Sequence, residues 1–160
     1  MKISGKFGNI DILTGQCHIS TIKDGRGAIF TWLPNEKILE FNMVMFSPGK
    51  IRGNHSHPEF HEYFLVVDGE VTMVTKDPNT GTEIAMIASK GVCFHTPPGT
   101  SHAVHALTPA TCISLLSKPW DECEEPIIHE DLIPQDNEYI EYAKKQGFEY
   151  SIEEIKGKKE

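Results

Sequence analysis

Three histidines and one glutamate have the types and spacing of a metal site. His55 and His57 are separated by a single residue, Glu62 follows shortly after them, and His102 lies further along the chain. Imidazole nitrogens and a carboxylate oxygen are donors that suit Zn, Fe, Mn, Ni or Cu better than a cation that needs only oxygen ligands. The sequence therefore predicts one divalent transition metal ion, held by His55, His57, Glu62 and His102.

These four residues can meet only if the strands that carry them curl around a common interior. In an extended strand successive side chains alternate faces, so His55 and His57 project to the same side. Glu62 arrives from the neighbouring segment, and His102 follows a Pro-Pro-Gly corner at residues 97–99. Strands that bring such separated residues to one interior are typical of a small barrel. The pattern thus favours an all-β fold.

Two stretches of the chain resemble the paired motifs of the cupin superfamily, which are small jelly-roll (double-stranded β-helix) barrels. The first motif matches at its five marker residues, and the second at glycine, proline, glycine and histidine: Gly49, His55, His57, Glu62 and Gly69, then Gly91, Pro97, Gly99 and His102. The second motif departs at Ala106, where the family usually has an asparagine that is not a ligand. The resemblance covers residues 40–116 and implies a cupin jelly-roll barrel. It does not decide the function, because one barrel hosts many chemistries.

Composition limits the class of protein and its partners. A chain of 160 residues is the size of one domain, and its formal charge of −8 argues against nucleic acid or an anionic membrane as a partner. No apolar run approaches a membrane span, and the first ten residues lack the apolar core of a signal peptide. The four cysteines are widely spaced without a CxxC pair, which is typical of a reduced, cytoplasmic protein.

The chain divides into a barrel and an acidic extension. Residues 1–118 are predicted to form the barrel, including edge strands near the N-terminus, whereas residues 119–160 form an extension with a short helix at 137–148. A strand is expected at residues 28–33. Apolar and polar residues alternate from Leu39 to Met45, which predicts a half-buried strand.

The arginines and two further histidines indicate how a ligand is held. The chain has only two arginines, Arg26 and Arg52, and both precede a glycine. A guanidinium group is a planar fork that suits carboxylate or phosphate, so the pair predicts a small anionic ligand. His95, on the strand that enters the second motif, is a third candidate for substrate binding. His61 adjoins Glu62 in the sequence and should therefore point to the opposite face.

A narrower resemblance concerns residues 24–27 (DGRG) and 52–55 (RGNH). These are similar to the D-x-R-G and R-G-x-H signatures of cupins that act on nucleotide-linked sugars, the dTDP-sugar ketoisomerases and dTDP-dehydrorhamnose epimerases. In those families the histidine is an acid/base and the arginines hold the phosphates. The resemblance implies that His55, and His57 in the ketoisomerase pattern, transfer a proton next to a sugar ketone. Glu62 is a third candidate catalytic residue. Those enzymes generally work without metal, whereas this chain keeps a full ligand set.

Three functions are compatible with these residues. The arginine pair favours an isomerase or epimerase that acts on a sugar or nucleotide-linked sugar in polysaccharide biosynthesis, by proton transfer next to a carbonyl. The same ligand set would also serve an Fe(II)-dependent dioxygenase acting on a small molecule. The third possibility is a non-enzymatic cupin that binds a small molecule. A homodimer is expected, because the N-terminal strands could add to a partner's sheet and two-fold pairs are the commonest assembly.

Overall fold

The computed structural model describes residues 3–14 and 25–133, and the regular secondary structure of this part of the chain is almost entirely β-strand. The eleven described strands are β1 Ile3–Phe7, β2 Ile10–Thr14, β3 Glu40–Phe46, β4 Ile51–Ser56, β5 Glu62–Asp68, β6 Glu70–Lys76, β7 Glu83–Ser89, β8 Val92–Thr96, β9 His102–Ala106, β10 Ala110–Leu116 and β11 Ile128–His129. A single short 3₁₀ turn spans Trp120–Glu122. Within the described ranges, no helix is long and apolar enough to cross a membrane. The helix predicted at 137–148 lies outside them.

The strands form two antiparallel sheets. The six-stranded sheet has the order β1-β2-β8-β5-β10-β3, and the five-stranded sheet has the order β11-β4-β9-β6-β7. The predicted all-β jelly-roll barrel is therefore confirmed. The N-terminal strands β1 and β2 extend one end of the six-stranded sheet, with β1 at the edge, as the sequence indicated. β11, from the predicted extension, pairs with β4, so the extension begins by packing on the barrel.

The barrel interior is filled by apolar side chains from the inward faces of both sheets. Alternate residues of each strand point inward, because successive side chains of a strand face opposite sides. The buried cluster comprises Phe7, Ile10, Phe46, Phe64, Val66, Val71, Met73, Ala88, Phe94, Val104, Ala106, Ala110 and Cys112. This core holds the two sheets together. The inward-facing polar residues lie further along the same strands.

A second, smaller core lies on the outer face of the six-stranded sheet. Leu13, Tyr63 and Cys93 are buried there beneath side chains that include Trp32 and Ile38. The prediction of a strand at residues 28–33 is wrong, since this part of the chain has only isolated bridges. Trp32 packs on the face of the sheet. The segment does not join a sheet edge, so no neighbouring strand supplies a hydrogen-bonding ladder.

The strand predicted from alternation at residues 39–45 is present as β3, but its apolar face is exposed. Phe41, Met43 and Met45 are 75%, 71% and 62% exposed, whereas Phe46 is buried and Val44 packs against the main core. β3 is the last strand of its sheet, and its odd-numbered side chains point away from the barrel. The strand is present as predicted, but its exposed face is the one that carries these apolar side chains.

Candidate active site

Three of the four predicted ligands, His55, His57 and His102, come together inside the barrel, and Glu62 contacts two of them. The register of β4 and β9 places His55 opposite His102, and His57 follows β4 directly. The ring nitrogens of the three histidines lie within 4.8 Å of one another. The Oε2 atom of Glu62, at the start of β5, lies 3.3 Å from Nε2 of His57 and 3.1 Å from Nε2 of His102.

A bulge in β4 sets the direction of these side chains. The register with β9 shifts between Gly53 and His55, and both Gly53 and Asn54 have positive φ, 89° and 55° respectively. A Cβ at Gly53 would lie 2.8 Å from the carbonyl oxygen of His102, so only glycine allows this close approach. The Asn54 carboxamide accepts hydrogen bonds from the backbone N–H groups of residues 132–133 and thereby binds the extension to the bulge.

Backbone carbonyls fix the tautomers of two histidines. Nδ1 of His57 lies 3.0 Å from the carbonyl oxygen of Pro126, and Nδ1 of His102 lies 3.1 Å from that of Thr100. A carbonyl oxygen can only accept, so each Nδ1 carries the hydrogen and each Nε2 is directed to the Glu62 carboxylate. This arrangement is the one that orients histidine ligands in metal proteins.

Burial and the contacts among these residues shift their pKa values in different directions. Burial alone would raise the pKa of Glu62, but the hydrogen bond with His102 and the contact with His57 outweigh it and hold that pKa well below its usual range. Burial lowers the pKa of His102, yet the hydrogen bond and charge of Glu62 raise it overall. Burial, followed by the nearby His102 and His57, lowers the pKa of His55 to about 3. Ser114 donates a 2.6 Å hydrogen bond to the ionised Glu62.

The donor atoms fit a divalent transition metal. Within the described part of the chain, the buried Nε2 of His57 has no hydrogen-bond partner, since its 3.3 Å approach to Glu62 lacks hydrogen-bond geometry. A buried nitrogen without a partner is costly. A metal ion shared by the three imidazoles would satisfy it, with the Glu62 carboxylate beside His57 and His102. The mixed nitrogen and oxygen set suits Zn, Fe, Mn, Ni or Cu, as the sequence predicted.

Polar residues on the inward face of β3 lie beside this cluster. Asn42 is exposed and pairs with Ser114 across the sheet, so both lie on the same face as Glu62. Glu40 accepts a 2.7 Å hydrogen bond from the backbone N–H of Trp120. Sequence reasoning missed Asn42 and Ser114. Ser114 has a recognisable signal, because it occupies an inward position between Cys112 and Leu116 in an otherwise buried alternation.

The three predicted substrate-binding residues lie in different parts of the structure. Arg52 pairs with Val104, whose side chain lies in the main core, so Arg52 occupies an inward-facing position. Its exposed guanidinium lies 5.6 Å from the centre of the Phe46 ring. Arg26 is exposed in a turn that follows the undescribed residues 15–24. His95 lies on the outer face of the sheet. The structure thus separates His95 from the barrel cluster and brings Arg52 to the inward side.

Comparisons with known proteins agree with this geometry. The family model described as Cupin domain matches residues 42–116. A search of curated proteins found no match.

Among solved structures, the chain is similar to the dTDP-6-deoxy-D-glucose-3,5-epimerase RmlC from Legionella pneumophila Philadelphia 1 in complex with dTDP-4-keto-L-rhamnose, with a TM-score of 0.63 and 18% identity over 79% of this chain and 75% of that chain. It is also similar to a variant of the 3,4-ketoisomerase QdtA from Thermoanaerobacterium thermosaccharolyticum in complex with TDP-4-keto-6-deoxyglucose, with a TM-score of 0.62 and 19% identity over 90% and 100%. The capsular polysaccharide assembling protein CapF from Staphylococcus aureus gives a TM-score of 0.55 and 23% identity, covering 69% of this chain but only 32% of CapF. At these identities, the similarity concerns the fold.

Proposed function

We propose that the chain, whose residues 42–116 match the family model described as Cupin domain, is an isomerase or epimerase of nucleotide-linked sugars in polysaccharide biosynthesis. The observation that carries the proposal is a neutral, half-buried His55 beside the ionised Glu62, next to an inward-facing arginine. Structures of similar fold contain dTDP-linked keto sugars, and one similar protein is named for capsular polysaccharide assembly, which supports this substrate class. The cytoplasmic location inferred from the cysteines stays a prediction.

The residues of the barrel can perform proton transfer next to a ketone. His55 is neutral at physiological pH, and no hydrogen bond ties its ring within the described ranges, so it is placed to accept a proton from the carbon beside the sugar carbonyl. The negative charge of Glu62 stabilises the imidazolium that results, and Ser114 keeps that carboxylate in position. His57 and His102 are held by backbone carbonyls, so the cluster keeps its geometry during the transfer.

Alternatively, His55, His57, Glu62 and His102 would hold the predicted divalent metal ion, and a His55 nitrogen that binds the ion would then have no lone pair with which to accept a proton. When bound there, such an ion polarises a carbonyl as a Lewis acid and lowers the cost of removing a proton from the adjacent carbon. The contribution of the chain is to present the nitrogen lone pairs and the carboxylate in one buried place, with the exposed Asn42 on the open side.

The position of Arg52 predicts how nucleotides affect stability. A nucleoside diphosphate such as dTDP should raise the melting temperature of the wild-type protein, and Arg52→Lys should lose most of that increase, because an ammonium cannot replace a bidentate fork. A hydrogen bond to a charged group contributes on the order of 1.5–3 kcal/mol. Affinity should therefore fall by roughly ten- to a hundredfold. Thermal shift with dTDP, UDP and GDP measures this.

The control for that experiment is Lys90→Arg, at an exposed lysine in the turn before β8. This variant should respond to dTDP like the wild type. A wild-type protein that responds to none of the three nucleotides would contradict the role assigned to Arg52.

We propose further that the chain is a homodimer and that the outward face of β3 contributes to the interface. An exposed apolar surface of this kind on a single chain commonly marks an interaction site. Met43→Glu, at the centre of that face, should therefore shift the sedimenting mass from twice 17.9 kDa towards 17.9 kDa at micromolar concentration. Ser89→Glu, an exposed position on the other sheet, is the matched control. A wild-type mass near 17.9 kDa would refute the dimer.

A direct test of the proposed function uses TDP-4-keto-6-deoxyglucose, the ligand of the similar ketoisomerase. We expect proton NMR to show its conversion to a positional or stereochemical isomer when the metal-loaded protein is added. Absence of conversion, together with oxygen consumption that requires Fe(II), would replace this proposal with the dioxygenase.

A further inference from the structure

A second group of metal-binding side chains lies on the outer face of the six-stranded sheet, outside the barrel. His95 on β8 is paired with Asp11 on β2 and with Tyr63 on β5, and all three side chains lie on the outward side. His61 precedes β5 and joins them, because it is two residues from Tyr63 and one from the inward-facing Glu62. This group therefore lies across the sheet from the candidate active site.

The third member comes from the irregular segment that precedes β3. The carboxylate of Glu36 lies with Oε1 3.5 Å from Nδ1 of His61 and Oε2 3.9 Å from Nε2 of His95. Those two ring nitrogens are 2.9 Å apart. A tetrahedral zinc ion with bonds of about 2.0–2.1 Å places its donor atoms roughly 3.3 Å apart. The three observed separations bracket that value, so small side-chain shifts would accommodate an ion.

The surrounding groups orient the donors as they do in metal sites. Nδ1 of His95 lies 3.1 Å from a carboxylate oxygen of Asp11, which can only accept, so the Nε2 lone pair of His95 faces the cluster. A carboxylate behind a histidine ligand is the usual arrangement in zinc proteins. The ring of Tyr63 stacks on His95 at 4.5 Å and 14°, and the Tyr63 hydroxyl donates to Glu36. Two of the three donors are thus held in place before any ion binds.

A simple hydrogen-bonded chain explains only part of this arrangement. The 2.9 Å contact between the two imidazoles can be a hydrogen bond, with His61 donating to His95. The Glu36 carboxylate accepts a hydrogen bond from Tyr63, but its oxygens are 3.5 and 3.9 Å from the ring nitrogens, beyond ordinary hydrogen-bond distance. A cation between the carboxylate and the rings would connect the three donor groups, whose ligand atoms lie within 4.8 Å of one another.

The cluster is also open to solvent on one side. The side chain of His95 is 8% exposed, whereas those of Glu36 and His61 are 26% and 32% exposed. An ion can therefore enter without unfolding the sheet, and a water molecule can occupy a fourth position.

We propose that Glu36, His61 and His95 form a second divalent transition-metal site, with two nitrogen donors, one carboxylate and one solvent position. Zinc is the ion that this donor set and tetrahedral spacing suit best. Glu36 belongs to the segment that covers the outer face, so a bound ion ties that segment to β5 and β8. This proposal is independent of the proposed sugar chemistry.

Zinc itself is the probe. Purified full-length protein is loaded with zinc, dialysed and measured by elemental analysis. Glu36→Gln should retain one zinc equivalent fewer than the wild type, whatever the occupancy of the barrel. His61→Ala should do the same and provides a second variant if one of them folds poorly. Glu83→Gln, which removes an exposed carboxylate on β7, should match the wild type. Equal zinc content in wild type and Glu36→Gln would overturn the proposal.

Cobalt gives a spectroscopic measurement that is separate from activity. In a His57→Ala background, which disables the barrel cluster, added Co(II) should still produce the visible absorption of a four-coordinate site. The same background with Glu36→Gln should lose that absorption. Absence of sugar isomerisation by the wild type, with cobalt absorption still present in His57→Ala, would count against the proposed function alone, whereas missing absorption in His57→Ala would count against the outer site alone.

Discussion

His57→Ala is expected to empty the barrel of its metal ion while leaving the barrel folded. Nε2 of His57 is buried beside Glu62 without a hydrogen-bond partner in the described structure, so an ion gives this nitrogen its only strong interaction. Removing one of four ligands should reduce affinity by orders of magnitude. Elemental analysis of protein purified without chelator should therefore find one equivalent fewer than in the wild type.

The same variant should lose the stabilisation that metal provides. An ion that binds only the folded state stabilises it by about 2.7 kcal/mol at one hundred times its dissociation constant. The wild type should therefore melt at a higher temperature with metal than after chelation, and His57→Ala should show a smaller increase. Glu83→Gln, at an exposed position on β7, is the control and should behave like the wild type. Unchanged metal content in His57→Ala would contradict the ligand assignment.

His55→Gln is expected to lower the turnover number of the isomerisation by roughly 10²- to 10⁴-fold, the usual contribution of a general acid or base. Glutamine keeps a polar side chain of moderate size but cannot carry the proton. The pKa of His55 is lowered to about 3 by burial and by its neighbours His102 and His57, so the wild-type ring is neutral at physiological pH.

Metal content must be measured alongside this turnover, because His55 is also a predicted ligand. Assays of chelated protein separate the two roles, because a His55 nitrogen that binds a metal ion cannot also accept a proton. We expect His55→Gln to remain impaired relative to the wild type after chelation, with KM changing less than the turnover number. Turnover within tenfold of the wild type would remove His55 from the proposed mechanism.

The barrel cluster could be predicted from the sequence because two local rules define it. The alternation of a strand puts His55 and His57 on one side, and the two cupin motifs supply Glu62 from β5 of the six-stranded sheet and His102 from β9 of the five-stranded sheet. The groups that fix the rings could not be predicted. They are backbone carbonyls of Pro126 and Thr100, and a carbonyl has no sequence signature.

The outer face of the sheet shows a different limit of sequence reasoning. The alternation of side chains correctly predicted that His61 points to the face opposite Glu62, but it could not show which residues surround His61 there. Glu36 reaches the outer face from an irregular segment with no periodicity, and only tertiary packing brings it to His95. Periodicity likewise identified β3 as a strand while giving its apolar face the wrong environment, because exposure depends on which strand ends the sheet.

Solvent exchange tests the central account most directly, because proton transfer next to a carbonyl must pass through a state in which that carbon has lost its proton. TDP-4-keto-6-deoxyglucose incubated with the metal-loaded protein in D₂O should lose the NMR signal of a proton on a carbon adjacent to the ketone. The loss should be much faster with wild type than with His55→Gln or without protein. Binding of the sugar nucleotide without any exchange above the protein-free rate would contradict the account.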